Sequence, residues 1–324
     1  MIRLAPLAMA LILAGAAGAG PYRAPRTASG QPDLQGLWTN ASLTRLERPP
    51  EFDTVTVPEA KARAFETGHA GKPKLPGDDV GGAETEWWEM GGKLARFRGQ
   101  ARSAWIVDPG DGRLPYTDAG RKALAAFNPG MDGPEVRPTS DRCLEGVGTP
   151  AGPPMLNTNY NNNYQIVQTA GYVTIVVEMN HDVRVIRLGG ERAKPSSIGA
   201  WMGESVGHWE GETLVVETTN LNPAQSVHGS RSIGLFFASP DARFRERFTR
   251  LSANQILYEF SVDDPKTFSR PWRAEMLFEP SKGPMYEFAC HEGNYAMTSM
   301  LSGARQAEAA ANAAATPEPP RTAH

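Results

Sequence analysis

The chemistry open to this chain rests on a few polar side chains set in an otherwise apolar stretch. Glu178, His181 and Asp182 stand together where a run of β-branched residues, Val173 to Val177, gives out. His208 and Trp209 follow in the next strand-like run, His228 comes after it, and Cys290-His291-Glu292 lies near the end. No nucleophile elbow, Ser-x-x-Lys, phosphate-cradling glycine loop or dinucleotide fingerprint is present. Zinc spacings of the His-Glu-x-x-His or Cys-x-x-Cys kind are absent too, although a metal assembled from distant strands stays open. What remains is proton transfer by His and carboxylates, which needs no cofactor.

Within that chemistry Glu178 is the natural base. It ends an apolar strand on the face of Tyr172, Thr174 and Val176, and burial there would raise its pKa into a useful range. His181 sits where the chain turns. Glu246 shares a face with Phe244 and Phe248 and is expected to point inward, a costly placement unless an Arg, a His or a ligand pairs with it. The expected catalytic set is Glu178, His181, Asp182, His291 and Glu292, with Tyr164, His208, Trp209, Glu246, Trp272 and Asn294 as ligand contacts. Each of these could equally be a strand cap or a structural ion pair. Convergence of His291 and Glu292 on Glu178 requires the last strand to close against the first ones.

The elements that would position these groups are strands. Period-2 alternation and Gly-bearing turns predict strands at 164–169, 172–179, 183–188, 201–208, 213–219, 243–250, 255–263, 271–279 and 285–292. Phe244/Glu246/Phe248, Tyr258/Phe260/Val262 and Trp272/Ala274/Met276/Phe278 make inward faces, with Arg245, Arg247, Glu259, Arg273 and Glu275 outward. Short connections predict a mainly β fold: an antiparallel up-and-down meander closing into a lipocalin-like barrel of about eight strands, with a β-sandwich as the alternative.

Residues 20–140 read as an irregular, partly helical wrap around a barrel at 141–303, followed by a helical or disordered tail at 304–324. In the wrap, Leu37 and Trp38 are expected to pack on the body, Pro58 to open a short helix, and Thr117 to cap another. Trp87 and Trp88 are either a buried anchor or an aromatic pocket wall.

The 324 residues carry a net charge of −3, which argues against a nucleic-acid partner. Residues 1–19, with one early Arg, a short apolar run and Ala17-Gly18-Ala19, read as a cleaved secretory signal rather than a membrane anchor. That places the mature protein in the periplasm or outside the cell. In an oxidising compartment Cys143 and Cys290 are expected to form a disulfide, the alternative being a reactive thiol in Cys290-His291-Glu292.

Several motifs carry a resemblance: Tyr160-Asn-Asn-Asn-Tyr-Gln-Ile-Val-Gln168, Glu178-Met-Asn-His-Asp182, Gly207-His-Trp-Glu-Gly-Glu-Thr-Leu-Val-Val-Glu-Thr-Thr-Asn220, Glu246-Arg-Phe-Thr249, Val262-Asp-Asp-Pro265 and Tyr286-Glu-Phe-Ala-Cys-His-Glu-Gly-Asn-Tyr295. Over residues 30–305 the chain resembles a family of secreted and periplasmic proteins of Gram-negative bacteria. The resemblance implies a secreted single-domain protein and brings no activity with it. Two readings follow from the residues: an acid–base lyase, isomerase or hydrolase acting on a small molecule held in the barrel, or a carrier that binds a small ligand without turnover. A structural envelope protein is a weaker third reading, since no repeat or anchor supports it.

Overall fold

Alternation of apolar and polar residues builds the wall, and closure hides its apolar face. The structure, a computed structural model, describes residues 22–69, 91–126, 133–134, 137–190, 198–225, 227–230 and 234–315. Nine strands close into a barrel: β1 (Gly36–Thr39), β6 (Asn163–Gln168), β7 (Tyr172–Val177), β8 (Val183–Leu188), β9 (Glu204–Glu210), β10 (Thr213–Thr219), β13 (Arg243–Ser252), β14 (Gln255–Asp263) and β15 (Trp272–Pro280). β1 seals it, pairing with β6 on one side and with β15 through Trp38↔Pro280 on the other. Closure gives every strand of the wall a neighbour on each side. The short strand β5 (Ile106–Asp108) adds to the outer edge of β15. A small sheet of β2 (Thr56–Val57), β3 (Arg96–Phe97) and β4 (Gln100–Arg102), and the hairpin of β11 (Val227–Ser230) and β12 (Gly234–Phe237), lie outside the wall.

Most predicted strands form close to their expected bounds, and those expected at 213–219 and 255–263 form at those residues. Four expectations need correction. The meander is not purely antiparallel, because β8 and β9 run parallel through Ile186↔Ser205 to Leu188↔Gly207. The longer connection between them lets the chain cross back before re-entering the wall. β1 comes from the stretch read as wrap, so the barrel is not confined to 141–303. The stretch 285–292 is not a strand; it belongs to a largely exposed strap, residues 281–295, between β15 and the C-terminal helix. That helix, α3 (Ala296–Ala315), begins before the expected tail.

Phe244, Phe248, Tyr258, Phe260, Val262, Trp272, Ala274, Met276 and Phe278 are all buried, as their spacing predicts. On β7 the inward residues are Val173, Ile175 and Val177, while Tyr172 is 49% exposed. Residues 149–158 are buried without a break, although they form no helix or strand. They meet inward side chains: the Met155 N–H donates to the Tyr258 hydroxyl at 2.9 Å, and the Tyr164 hydroxyl donates to the Pro150 carbonyl at 3.3 Å. The chain's own loop therefore fills part of the space that an open cup would leave to a ligand.

The helices of the wrap follow their local signals. α1 (Glu59–His69) starts just after Pro58, and α2 (Asp118–Ala126) is capped by Thr117, whose Oγ1 accepts the Gly120 N–H at 3.0 Å. Gly120 is required by contact, since a Cβ there would sit 2.2 Å from the Thr267 carbonyl oxygen. The Cys143–Cys290 disulfide forms, across a separation of 147 residues, and ties the strap to the loop before β6. Trp87 and Trp88 lie outside the described residues.

Candidate functional site

Strand direction gathers the polar residues at one rim. β7 ends there, β8 and β9 begin, β10 ends, β13 begins, β14 ends and β15 begins. The β7–β8 turn is tight: Asn180 and His181 both adopt positive φ, at 59° and 46°. Asn accepts that conformation readily, His less so. The turn sends Glu178, Asn180 and Asp182 to different neighbours.

Glu178 is buried, but not in the barrel interior, because the face of Tyr172, Thr174 and Val176 is the outer one. Its two oxygens accept the Tyr286 N–H at 2.8 Å and the Asn163 side-chain amide at 2.6 Å. It is thus a latch for the strap. His181 is exposed, and its Nδ1 lies 3.3 Å from the Phe288 carbonyl oxygen. The strap does reach this corner, as closure required, but through its backbone. The side chains of His291 and Glu292 are exposed, and among the described residues neither makes a hydrogen bond or ion pair.

Asp182 behaves differently. It is buried, its Oδ2 accepts the Gly146 N–H at 2.8 Å, and its Oδ1 accepts the Asn180 amide at 2.9 Å. Burial raises its pKa, and those hydrogen bonds hold the rise back. The residue beside Gly146 is Glu145, which sequence reading did not single out. Glu145 is 1% exposed, and among the described residues neither of its carboxyl oxygens has a hydrogen-bond partner. Burial, reinforced by the charge of Asp182, pushes its pKa up to about 8. The nearby Met202 N–H and Thr139 hydroxyl work in the other direction and hold the rise back. At neutral pH Glu145 therefore holds a proton, next to a carboxyl whose oxygens are both occupied.

Among the described residues, two further groups at this rim lack a partner. The Met202 N–H donates to the Gln225 carboxamide oxygen at 2.8 Å, leaving the Gln225 Nε2 without an acceptor. His228 is fully buried on β11, its Nδ1 3.5 Å from the Thr149 hydroxyl and its Nε2 unpartnered. Burial lowers its pKa to about 4, so the ring is neutral. The loop 145–149 links these groups, since the Gly229 N–H next to His228 donates to the Gly148 carbonyl at 3.1 Å. Gly146 permits the packing: a Cβ there would sit 2.8 Å from the Pro150 Cγ and 3.0 Å from the Met179 Cγ.

The other expected contacts are dispersed. Tyr164 is core, its hydroxyl between Asn40 and Pro150 and its ring edge-on to Phe278. Glu246 points inward as its spacing demands, and its partner is Arg184, which bonds both carboxylate oxygens while the Tyr258 hydroxyl donates to one of them at 2.6 Å. Ser205 and Thr218 accept two more of the Arg184 N–H groups, from Nε and Nη2. His208 and Trp209 lie toward the opposite rim, near the end of β9, with His208 3.2 Å from Glu210. Asn294 sits on the strap, its amide 3.5 Å from the Cys143 sulfur. Trp272 is buried at the near rim, its indole N–H without a partner among the described residues. Among the described residues no three His, Cys, Asp or Glu side chains cluster to hold a metal, and no helix is long and apolar enough to cross a membrane.

The chain matches no known protein family, no curated protein and no solved structure.

Proposed function

We propose that this protein is a secreted or periplasmic enzyme that moves protons on a small molecule, with Glu145 as the proton-holding acid and Asp182 as the charged partner that tunes it. The observation that carries this reading is the Glu145 carboxyl: buried, protonated at neutral pH and, among the described residues, without a hydrogen-bond partner. Buried polar groups are nearly always satisfied, and the exceptions concentrate where groups do chemistry. A carboxyl with a pKa near ambient pH is suited to give a proton and take it back. Glu145 donates to the substrate and becomes a carboxylate; a proton from the substrate or water restores it. Asp182, fixed by Gly146 and Asn180, keeps its place throughout. Lyase, isomerase and hydrolase chemistry all fit this step, and none of them requires a cofactor. Secretion is supported by the N-terminal pattern and by the disulfide.

The test is mass spectrometry of a bacterial culture extract incubated with the native protein, with Glu145→Gln, and with Glu178→Gln as a control in the strap latch. The expected result is a compound consumed by the native protein and by Glu178→Gln, and spared by Glu145→Gln. Turnover that survives in Glu145→Gln overturns the assignment. A compound that co-purifies with the native protein and is never converted would make it a carrier.

A further inference from the structure

Every strand of the wall has two neighbours, but the ladder between β8 and β9 zips only part of β8. Its register runs from Ile186↔Ser205 to Leu188↔Gly207 and covers no residue before Ile186. The chain ahead of β9 turns toward β10 instead: the Ala200 N–H donates to the Asn220 carbonyl at 3.0 Å, and the Gly203 N–H to the Ala200 carbonyl at 2.9 Å. The ladder is therefore open at the near rim, beside Val183 and Val185.

Backbone alternation shows which groups are left over. The Val177 N–H donates to the Asp182 carbonyl and the Leu188 N–H to the Gly171 carbonyl, both at 2.8 Å, so the even-numbered residues of β8 turn their N–H and C=O groups toward β7. Val183, Val185 and Arg187 turn theirs toward β9. The Ile186↔Ser205 pair uses the Val185 carbonyl and the Arg187 N–H. That leaves the Val183 N–H, the Val183 carbonyl and the Val185 N–H, which no hydrogen bond reaches among the described residues. Neither residue is shut away: Val183 is 46% exposed and Val185 is 53% exposed. The sheet face beside them is apolar. Val167, Thr174 and Val185 stand in register across β6, β7 and β8, Val176 is opposite Val183, and Val167 and Tyr172 are exposed. Arg187, the charged residue on this face, is paired with Glu204 at 3.6 Å.

We propose that this open edge of β8 is a docking site for an extended, uncharged peptide segment, which adds to Val183–Val185 as a short antiparallel strand. The chemistry follows from the groups on offer. Donors and an acceptor that recur at every second residue of an extended chain match the backbone of another strand. An antiparallel partner suits Val183, because a single opposing residue then exchanges both hydrogen bonds with it. That residue lies on the outer face and extends the apolar surface of Val183 and Val185, so a β-branched side chain fits there. Its neighbours point inward beside Arg184 and Ser205, which already bond each other at 3.0 Å, so small hydroxyl residues fit those places. Proteins usually blunt an exposed edge with Lys or Pro, and this one carries valines. A second copy is the poorer occupant: its own β8 is covered by β9 from Ile186 onward, which leaves an overlap too short to hold a dimer. This site does not depend on the acid role of Glu145 and stands or falls separately.

The probe is the pentapeptide Thr-Val-Ser-Val-Thr, acetylated and amidated at its ends, with the same peptide N-methylated at both valines as the matched molecule that cannot donate along the edge. Backbone amide resonances of the ¹⁵N-labelled full chain report the site. The peptide is expected to shift the Val183 and Val185 amides downfield and saturably. The N-methylated peptide is expected to bind at least about tenfold more weakly, the effect of losing one to two hydrogen bonds. Val185→Pro deletes one of the open donors and no bond of the native wall, so it is expected to keep the melting temperature and weaken the peptide by about tenfold. The proposal is overturned if neither amide moves at millimolar peptide, or if the two peptides bind equally. It is overturned too if the Val183 and Val185 amides of the protein alone shift with protein concentration, which would make the edge a contact between copies. Slow hydrogen exchange at both amides in the protein alone, matching that of Ile186, would overturn it as well, because the edge would then already be bonded. Because the two-peptide comparison uses the native protein, a variant that fails to fold cannot mask the answer.

Discussion

Asp182 accepts the Gly146 N–H at 2.8 Å, and its charge bears on Glu145, the residue immediately before that glycine. One carboxyl is fixed by two hydrogen bonds and the other, among the described residues, has none. Burial and the neighbouring charge of Asp182 keep Glu145 protonated at neutral pH.

That proton should be visible in stability. The folded-state pKa of Glu145, about 8, lies above its ordinary 4.5. The folded protein therefore holds the proton more tightly, so this contribution is fully present below pH 4.5 and is lost as the pH rises through about 8. The loss should reach roughly 3–5 kcal/mol. Glu145→Gln should abolish it, so the variant should melt at a higher temperature than the native protein at pH 8.5 and at about the same temperature at pH 4.5. Parallel melting curves across that range would show that Glu145 is not held protonated.

His228 should act in the opposite sense. Its pKa falls from 6.5 to about 4 on burial, so its contribution is complete above pH 6.5 and disappears as the pH falls through about 4. The cost of charging the ring is roughly 2–4 kcal/mol. His228→Phe should flatten the acid limb of the stability profile measured by urea unfolding between pH 6.5 and 4. An unchanged acid limb would mean that the ring reaches solvent.

The interior pair of Arg184 and Glu246 gives a coupling test. Arg184→Met or Glu246→Leu alone leaves a buried charge uncompensated and should cost about 3–5 kcal/mol. The double variant should cost less than either single one, because the Ser205–Thr218 hydroxyl contact and the Met155 bond to Tyr258 survive. Additive losses in urea unfolding would rule out a desolvated pair.

The Glu178 latch and the disulfide are two of the contacts that fasten the strap. Glu178→Ala leaves the Tyr286 N–H and the Asn163 amide without their acceptor and should cost about 1–3 kcal/mol. Opening the disulfide should cost about 4–5 kcal/mol in the chain-entropy account of a loop this long. Limited proteolysis should cut within 281–295 faster after either change and fastest after both, with mass spectrometry locating the cuts. Cleavage appearing first elsewhere would show that the strap is held by other contacts.

The sequence by itself determined the wall. Alternation over β13, β14 and β15 is a local property, so it gave the strands, their inward faces and the inward direction of Glu246 before any partner was known. Compartment and even count likewise pointed to Cys143–Cys290. Tertiary structure decided what distance in sequence hides. β1 enters the barrel because Asn40 and its neighbours meet Tyr164, 124 positions away, and no local period announces that. The face of Glu178 turned out to be the outer one, since alternation fixes which residues share a face and not which face looks inward. Glu145 was illegible for a deeper reason. A carboxyl becomes a proton reservoir through desolvation and a neighbouring charge, and both are supplied here by segments that meet only when the barrel closes: the loop 145–149, the turn at Asp182 and the stretch from Met202 to Gln225.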